Sequence, residues 1–241
     1  MQEVSHLVKS RVFIAAAVLL VLSFLLVYIH NVPLYPDEYQ TPYIPYFENG
    51  LEIAGPEDDF DKQLAYIRGL QRNVLEIASH DEGIPRGMDR GPMQLFEMQK
   101  GLCFDRSRTI ELILRERGFS VRHIFIISLA GKDNLLSALA TVNQPSHAIS
   151  EVFTSRGWMV IGSNSGWTAV TAEGDLVALQ DLKAFTDGQQ VIEWRYPVPE
   201  IYISLAPWRP VYGLYSRHGE FYPPYNPVPD FNIIEFCDNF F

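Results

Sequence analysis

The sequence predicts an α+β domain, with helices packed on a mainly antiparallel sheet, carried behind one transmembrane helix. Three observations predict it. An uninterrupted apolar run occupies residues 12–29. Apolar residues then recur at helical spacing within residues 58–117, and β-branched and aromatic runs punctuated by turn residues follow up to about residue 196. Helices first and strands after is the order of a segregated α+β domain, not of alternating βαβ units.

The apolar run contains no charge, Pro or Gly, and Ser23 is its one clearly polar residue. Eighteen helical residues rise about 27 Å, close to the hydrocarbon thickness of a bilayer. Lys9 and Arg11 precede the run, and Asp37 and Glu38 follow it. The excess of basic residues on the N-terminal side predicts residues 1–11 as cytoplasmic and the bulk as extracytoplasmic, a single-pass protein of the cell membrane. The run closes on Val27-Tyr28-Ile29-His30-Asn31 without a small-x-small cleavage site, so an uncleaved anchor is expected.

Residues 30–57 carry Pro33, Pro36, Pro42, Pro45 and Pro56 among tyrosines and acids, which predicts an extended spacer partly packed through its tyrosines. The folded domain is expected over 58–196. Asp58 or Asp59 caps a helix running to about Ala78, a short helical turn occupies 93–99, and a second clear helix spans Cys103–Arg117, ended by Gly118. Strands are predicted at 120–128, 147–154 and 158–161, the last two joined by the turn Ser155-Arg156-Gly157. Further strands are expected at 166–171 and 191–196, with a short helix over 179–185. Residues 197–241 are rich in Pro and aromatics and predict an extended segment wrapped over the domain.

The formal net charge is −10 and no basic stripe is present, which argues against a nucleic-acid partner. No P-loop, dinucleotide-type glycine motif or metal-ligand spacing occurs, so neither a cofactor nor a metal is expected. The two cysteines, Cys103 and Cys237, are too few for a disulfide scaffold; they either pair or leave one working thiol.

Cys103 opens its helix in Gly-Leu-Cys-Phe-Asp-Arg-Ser. Partial positive charge and free N–H groups at a helix N-terminus favour a thiolate and can receive an oxyanion. His147 opens a strand and offers a base. The far end of the next strand, Trp158-Met-Val-Ile-Gly-Ser-Asn, lies beside it, where a third group would orient the imidazole. The segments GLCFDRSRTIELILRERGFSVRHIFI and SHAISEVFTSRGWMVIGSNSGW together resemble the transglutaminase-like superfamily over roughly residues 95–166. That resemblance implies a papain-like fold and a Cys-His-Asp triad, in a group that includes cross-linkers, peptidases, amidases and non-catalytic relatives. Gly162 stands where the resemblance calls for Asp. Asn164, two residues on and on the same strand face if the strand continues, is the candidate replacement.

The resulting expectation is a membrane-anchored extracytoplasmic cysteine enzyme acting on amide bonds through Cys103, His147 and Asn164, with an envelope peptide, protein or glycan as substrate. The alternative is an inactive relative that binds a peptide or glycan in the same cleft. Structural roles are expected for Asp105, Arg106 and Glu151, a surface role for Gln94 and Gln99, a core role for His123, and a buried free thiol for Cys237. His218 is held open as a cleft residue.

Overall fold

The architecture comes from a computed structural model that describes residues 2–85, 88–215 and 230–240, the first nine of these by backbone alone. Helix α1 runs Gln2–His30, and its stretch Arg11–His30 is long and apolar enough to cross a membrane. The chain after it does not stand off as a spacer. The Val32 N–H donates to the Phe231 carbonyl at 2.8 Å, and a short 3₁₀ turn at Thr41–Tyr43 leads into α2, Ile44–Phe47. Ile44 and Phe47 are buried, whereas Tyr35, Tyr39 and Tyr46 are more than half exposed. The segment docks through Ile44 and Phe47 and, as expected, partly through its tyrosines: the Tyr43 and Tyr46 rings pack on Phe96, with centroids 5.7 and 4.3 Å away.

Helix α3, Phe60–Ile77, starts at Asp59, whose carboxylate accepts from the Lys62 N–H at 3.0 Å. Its Leu64, Ile67, Leu70 and Val74 fall on one stripe and are buried. Helix α4, Pro92–Met98, ends on Gln99 in the left-handed conformation, φ +51°. Helix α5, Cys103–Glu116, buries Ile110, Ile113 and Leu114 against α3. The sheet begins with β1, Val121–Ser128, followed by a helical turn α6, Leu135–Leu139. The hairpin β2, Ser146–Thr154, and β3, Gly157–Ile161, forms as the turn residues predict.

Helices α7, Leu179–Thr186, and α8, Glu200–Ser204, precede β4, Trp208–Tyr212, and α9, Ile233–Cys237. The sheet is wholly antiparallel in the order β3-β2-β1-β4. Strand β4 lies inside the stretch expected to wrap over the domain. The segments 166–171 and 191–196, expected as strands, make only isolated bridges, such as Ile161↔Thr168 and Thr171↔Trp194. His218, Phe221, Tyr222 and Tyr225 lie outside the described residues.

The pleat separates two layers. Ala148, Ser150 and Val152 of β2 share a face with Val121, His123 and Phe125 of β1, against α3 and α5. His147, Ile149 and Glu151 take the opposite face with Ile124 and Ile126, against Tyr202, Trp208 and α7. The α+β class therefore holds, with one layer of helices on each side of a four-stranded sheet.

Candidate functional site

Cys103 is the first residue of α5, and its thiol sits half-buried where β3 has ended. Because β3 stops at Ile161, one edge of the Ala148 peptide has no strand partner. Its carbonyl instead accepts from Ser163 Oγ at 2.8 Å and Ser107 Oγ at 3.2 Å, and its N–H faces the Cys103 sulfur. The Phe104 N–H supplies a second backbone donor to the thiol. Two N–H groups on one sulfur favour the thiolate, and Arg106 adds to them. Burial is nevertheless the largest influence and, with Asp105 reinforcing it, holds the thiol above its ordinary pKa. At neutral pH the resting form is the neutral thiol.

His147 is buried, 3% exposed, on the sheet face opposite α5. Its ring meets the Tyr202 ring edge-on, with centroids 5.8 Å apart. Burial pushes the imidazole down to about 4, so it is uncharged at pH 7. Among the described residues no hydrogen bond reaches the imidazole, from Cys103 or from any acceptor. Tyr202 joins the two groups: its ring packs on His147, and its buried hydroxyl, held well above its ordinary pKa mainly by burial, feels the Cys103 thiol.

Asn164 does not orient the imidazole. Its carboxamide oxygen accepts from Arg106 Nη1 at 3.0 Å. Arg106 also donates to the Ala78 carbonyl from Nε and Nη2, at 3.2 and 2.8 Å, and pairs with Asp81 at 2.8 Å. It ties the end of α3 to the segment after β3, the structural role expected of it. Gly162 leaves a space that Tyr202 occupies: a Cβ at Gly162 would stand 3.3 Å from the Tyr202 hydroxyl and 3.1 Å from Ser165 Oγ. Tyr202, in a short Pro-flanked helix 40 positions downstream, had no local signal that would have placed it here.

The remaining polar candidates are built into the scaffold. Asp105 accepts from the Leu102 N–H at 3.0 Å and pairs with Arg90 at 3.1 Å. Glu151 accepts from the Leu179 N–H at 2.8 Å and so anchors the start of α7. Gln94 accepts from Gln40 Nε2 at 2.9 Å and is buried, not on the surface as expected. His123 is a core residue, its Nδ1 2.7 Å from the Glu111 carboxylate. Cys103 and Cys237 are both free, and Cys237 is exposed, contrary to the buried thiol expected. No group of His, Cys, Asp and Glu among the described residues has the arrangement of a metal site.

Comparison with protein-family models, with curated proteins and with solved structures gives no match to this chain.

Proposed function

We propose that this protein is a membrane-tethered, extracytoplasmic domain of transglutaminase-like design that works by binding an envelope peptide or glycan, not by thiol catalysis. The observation that carries this reading is the isolation of His147: among the described residues no acceptor orients it and no thiol bonds to it, and burial keeps it neutral. A Cys–His nucleophile needs the imidazole within hydrogen-bond reach of the thiol and a third group behind it. Here the third position is Gly162, its space is taken by Tyr202, and Asn164 is committed to Arg106. The outward-facing Tyr35, Tyr39 and Tyr46, the last stacked on Phe96 with centroids 4.3 Å apart, give the domain an aromatic surface of the kind that receives polymers.

The enzyme reading keeps one specific support, the pair of N–H groups on the Cys103 sulfur, which favour the thiolate. Amide hydrolysis or acyl transfer by Cys103 then requires His147 to come within hydrogen-bond reach of the thiol. Thiol labelling of the full-length protein at pH 7 separates the two readings. Binding without catalysis predicts rapid modification of exposed Cys237 and slow modification of Cys103. Faster labelling at Cys103 than at Cys237 would restore the enzyme.

A further inference from the structure

A cavity that Cys103 does not line, although its neighbour Phe104 does, lies at the junction between α1 and the domain. It measures about 200 Å³ and is lined by His30, Pro33, Arg90, Phe104, Arg108 and Leu112, among others. Arg108 is only 6% exposed. One of its terminal nitrogens, Nη2, donates to the Pro33 carbonyl. The other, Nη1, is buried without a hydrogen-bond partner. The other three buried or half-buried arginines of this region each face a carboxylate: Arg90 pairs with Asp105, Arg106 with Asp81 and Arg115 with Glu235. Arg108 forms no ion pair among the described residues. A buried guanidinium that keeps an unpartnered terminal NH₂ group is costly unless an acceptor meets it.

We propose that this cavity binds the phosphate of a lipid headgroup, with Arg108 as its anchor. Guanidinium geometry matches phosphate oxygens. His30 is the last residue of the membrane-length helix and lines the same cavity, so the site opens within one turn of the end of the apolar run. Phe104 and Leu112 supply an apolar wall suited to the glycerol and first methylenes of a lipid. The negative groups near the guanidinium are engaged elsewhere or screened: Asp230 lies 2.9 Å from His30 Nδ1, Glu111 and Glu235 act on Arg108 through space but are held by His123 and Ser150 and by Arg115 and the Tyr215 hydroxyl respectively, and Asp37 and Asp89 are exposed at the rim, where solvent and salt screen them. The lipid as source rests on α1 lying in a membrane; the anion site itself rests on Arg108.

The test uses full-length protein in non-ionic detergent, with short-chain phosphatidic acid, inorganic phosphate and short-chain diacylglycerol as probes, read by native mass spectrometry. Phosphatidic acid should bind at least about tenfold tighter than either other probe, and Arg108→Gln should weaken it about tenfold or more, as expected for loss of a charged hydrogen bond. If Arg108→Gln does not fold, Met88→Trp, which adds bulk at the exposed rim and leaves the guanidinium in place, should weaken the same probe. Equal affinity for inorganic phosphate would keep the anion site and remove the lipid from the proposal. Diacylglycerol binding as tightly as phosphatidic acid, or a folded Arg108→Gln protein with wild-type affinity, would overturn the site.

Discussion

Replacing Gly162 with Asp asks whether a missing carboxylate is all that separates this site from a working Cys–His pair. Gly162 follows β3 directly and, by continuation of the β2–β3 register, lies on the face that carries His147. Its backbone is not among those with positive φ, so space decides the outcome. The new Cβ would stand 3.1 Å from Ser165 Oγ and 3.3 Å from the Tyr202 hydroxyl, and Tyr202, 1% exposed, has no room to swing away. Overpacking of this kind costs about 1–3 kcal/mol. The carboxylate would also enter the sheet face that carries an imidazole held down at about 4 by burial. An opposite charge within a few ångströms raises a histidine by roughly 1–3 pK units, into a range of about 5–7. We expect Gly162→Asp to lose stability by the overpacking amount in urea denaturation. Adding Tyr202→Phe, which removes the clashing oxygen, should recover about 1 kcal/mol, and the imidazole carbon-bound protons should then titrate near neutrality by NMR. A single variant as stable as wild type, or a double variant whose His147 still titrates near 4, would show that position 162 does not face the imidazole and would refute the assignment of faces.

Two further outcomes follow from the scaffold around the site. Arg106→Met removes both donors to the buried Ala78 carbonyl and the bond to Asn164, which should cost about 2–4 kcal/mol; the Asp81 partner is largely exposed and adds little. A loss below 1 kcal/mol in urea denaturation would mean that the carbonyl finds another donor. At Glu111, burial by itself would push the carboxyl up, but His123, Arg115 and Ser150 together hold it below its ordinary value. Its contribution to stability is therefore present above the usual glutamate range and is lost as pH falls through the folded-state value. The stability gap between wild type and Glu111→Gln should be widest near pH 7 and narrow on acidification; a gap independent of pH would refute that assignment.

The elements legible in the sequence are those fixed by local chemistry. Asp59 capped α3 as its type predicts, Gly157 made the β2–β3 turn with φ +119°, and the apolar stripe of α5 found its partners. Strand β4 escaped notice because Trp208-Arg209-Pro210-Val211-Tyr212 carries a proline, a residue that argues against a strand. It is tolerated because β4 is the edge of the sheet, where one side of the backbone has no ladder to complete. The site was half legible. Cys103 did open a helix, but the placement of His147 was a question of register. Alternation along Ser146–Thr154 sends Ser150 to Glu111 on α5 and His147 to Tyr202 on the other face, and only the partners reveal which face meets which layer. Asn164 went to Arg106 because β3 ends at Ile161 and the chain turns before the pleat reaches it.

The thiol shows why a favourable motif is not yet a favourable environment. A helix N-terminus contributes roughly 0.3–1 kcal/mol to an adjacent anion, about 0.2–0.7 pK unit. Removing a group from water shifts its pKa by up to several units when burial is complete. At Cys103 the two backbone N–H groups and Arg106 act in the direction the motif requires, yet burial is larger and Asp105 works with it. The same balance holds at His147, where burial acts alone and pushes the base the opposite way. Working Cys–His pairs offset that cost because thiolate and imidazolium are formed together and stabilise each other at short range. With the imidazole turned to the Tyr202 layer and no carboxylate at Gly162, each group meets the cost of burial alone, and the neutral forms are the stable ones. Catalysis at this site would need the thiol and imidazole to come within hydrogen-bond reach first; an added carboxylate acts only after that condition is met.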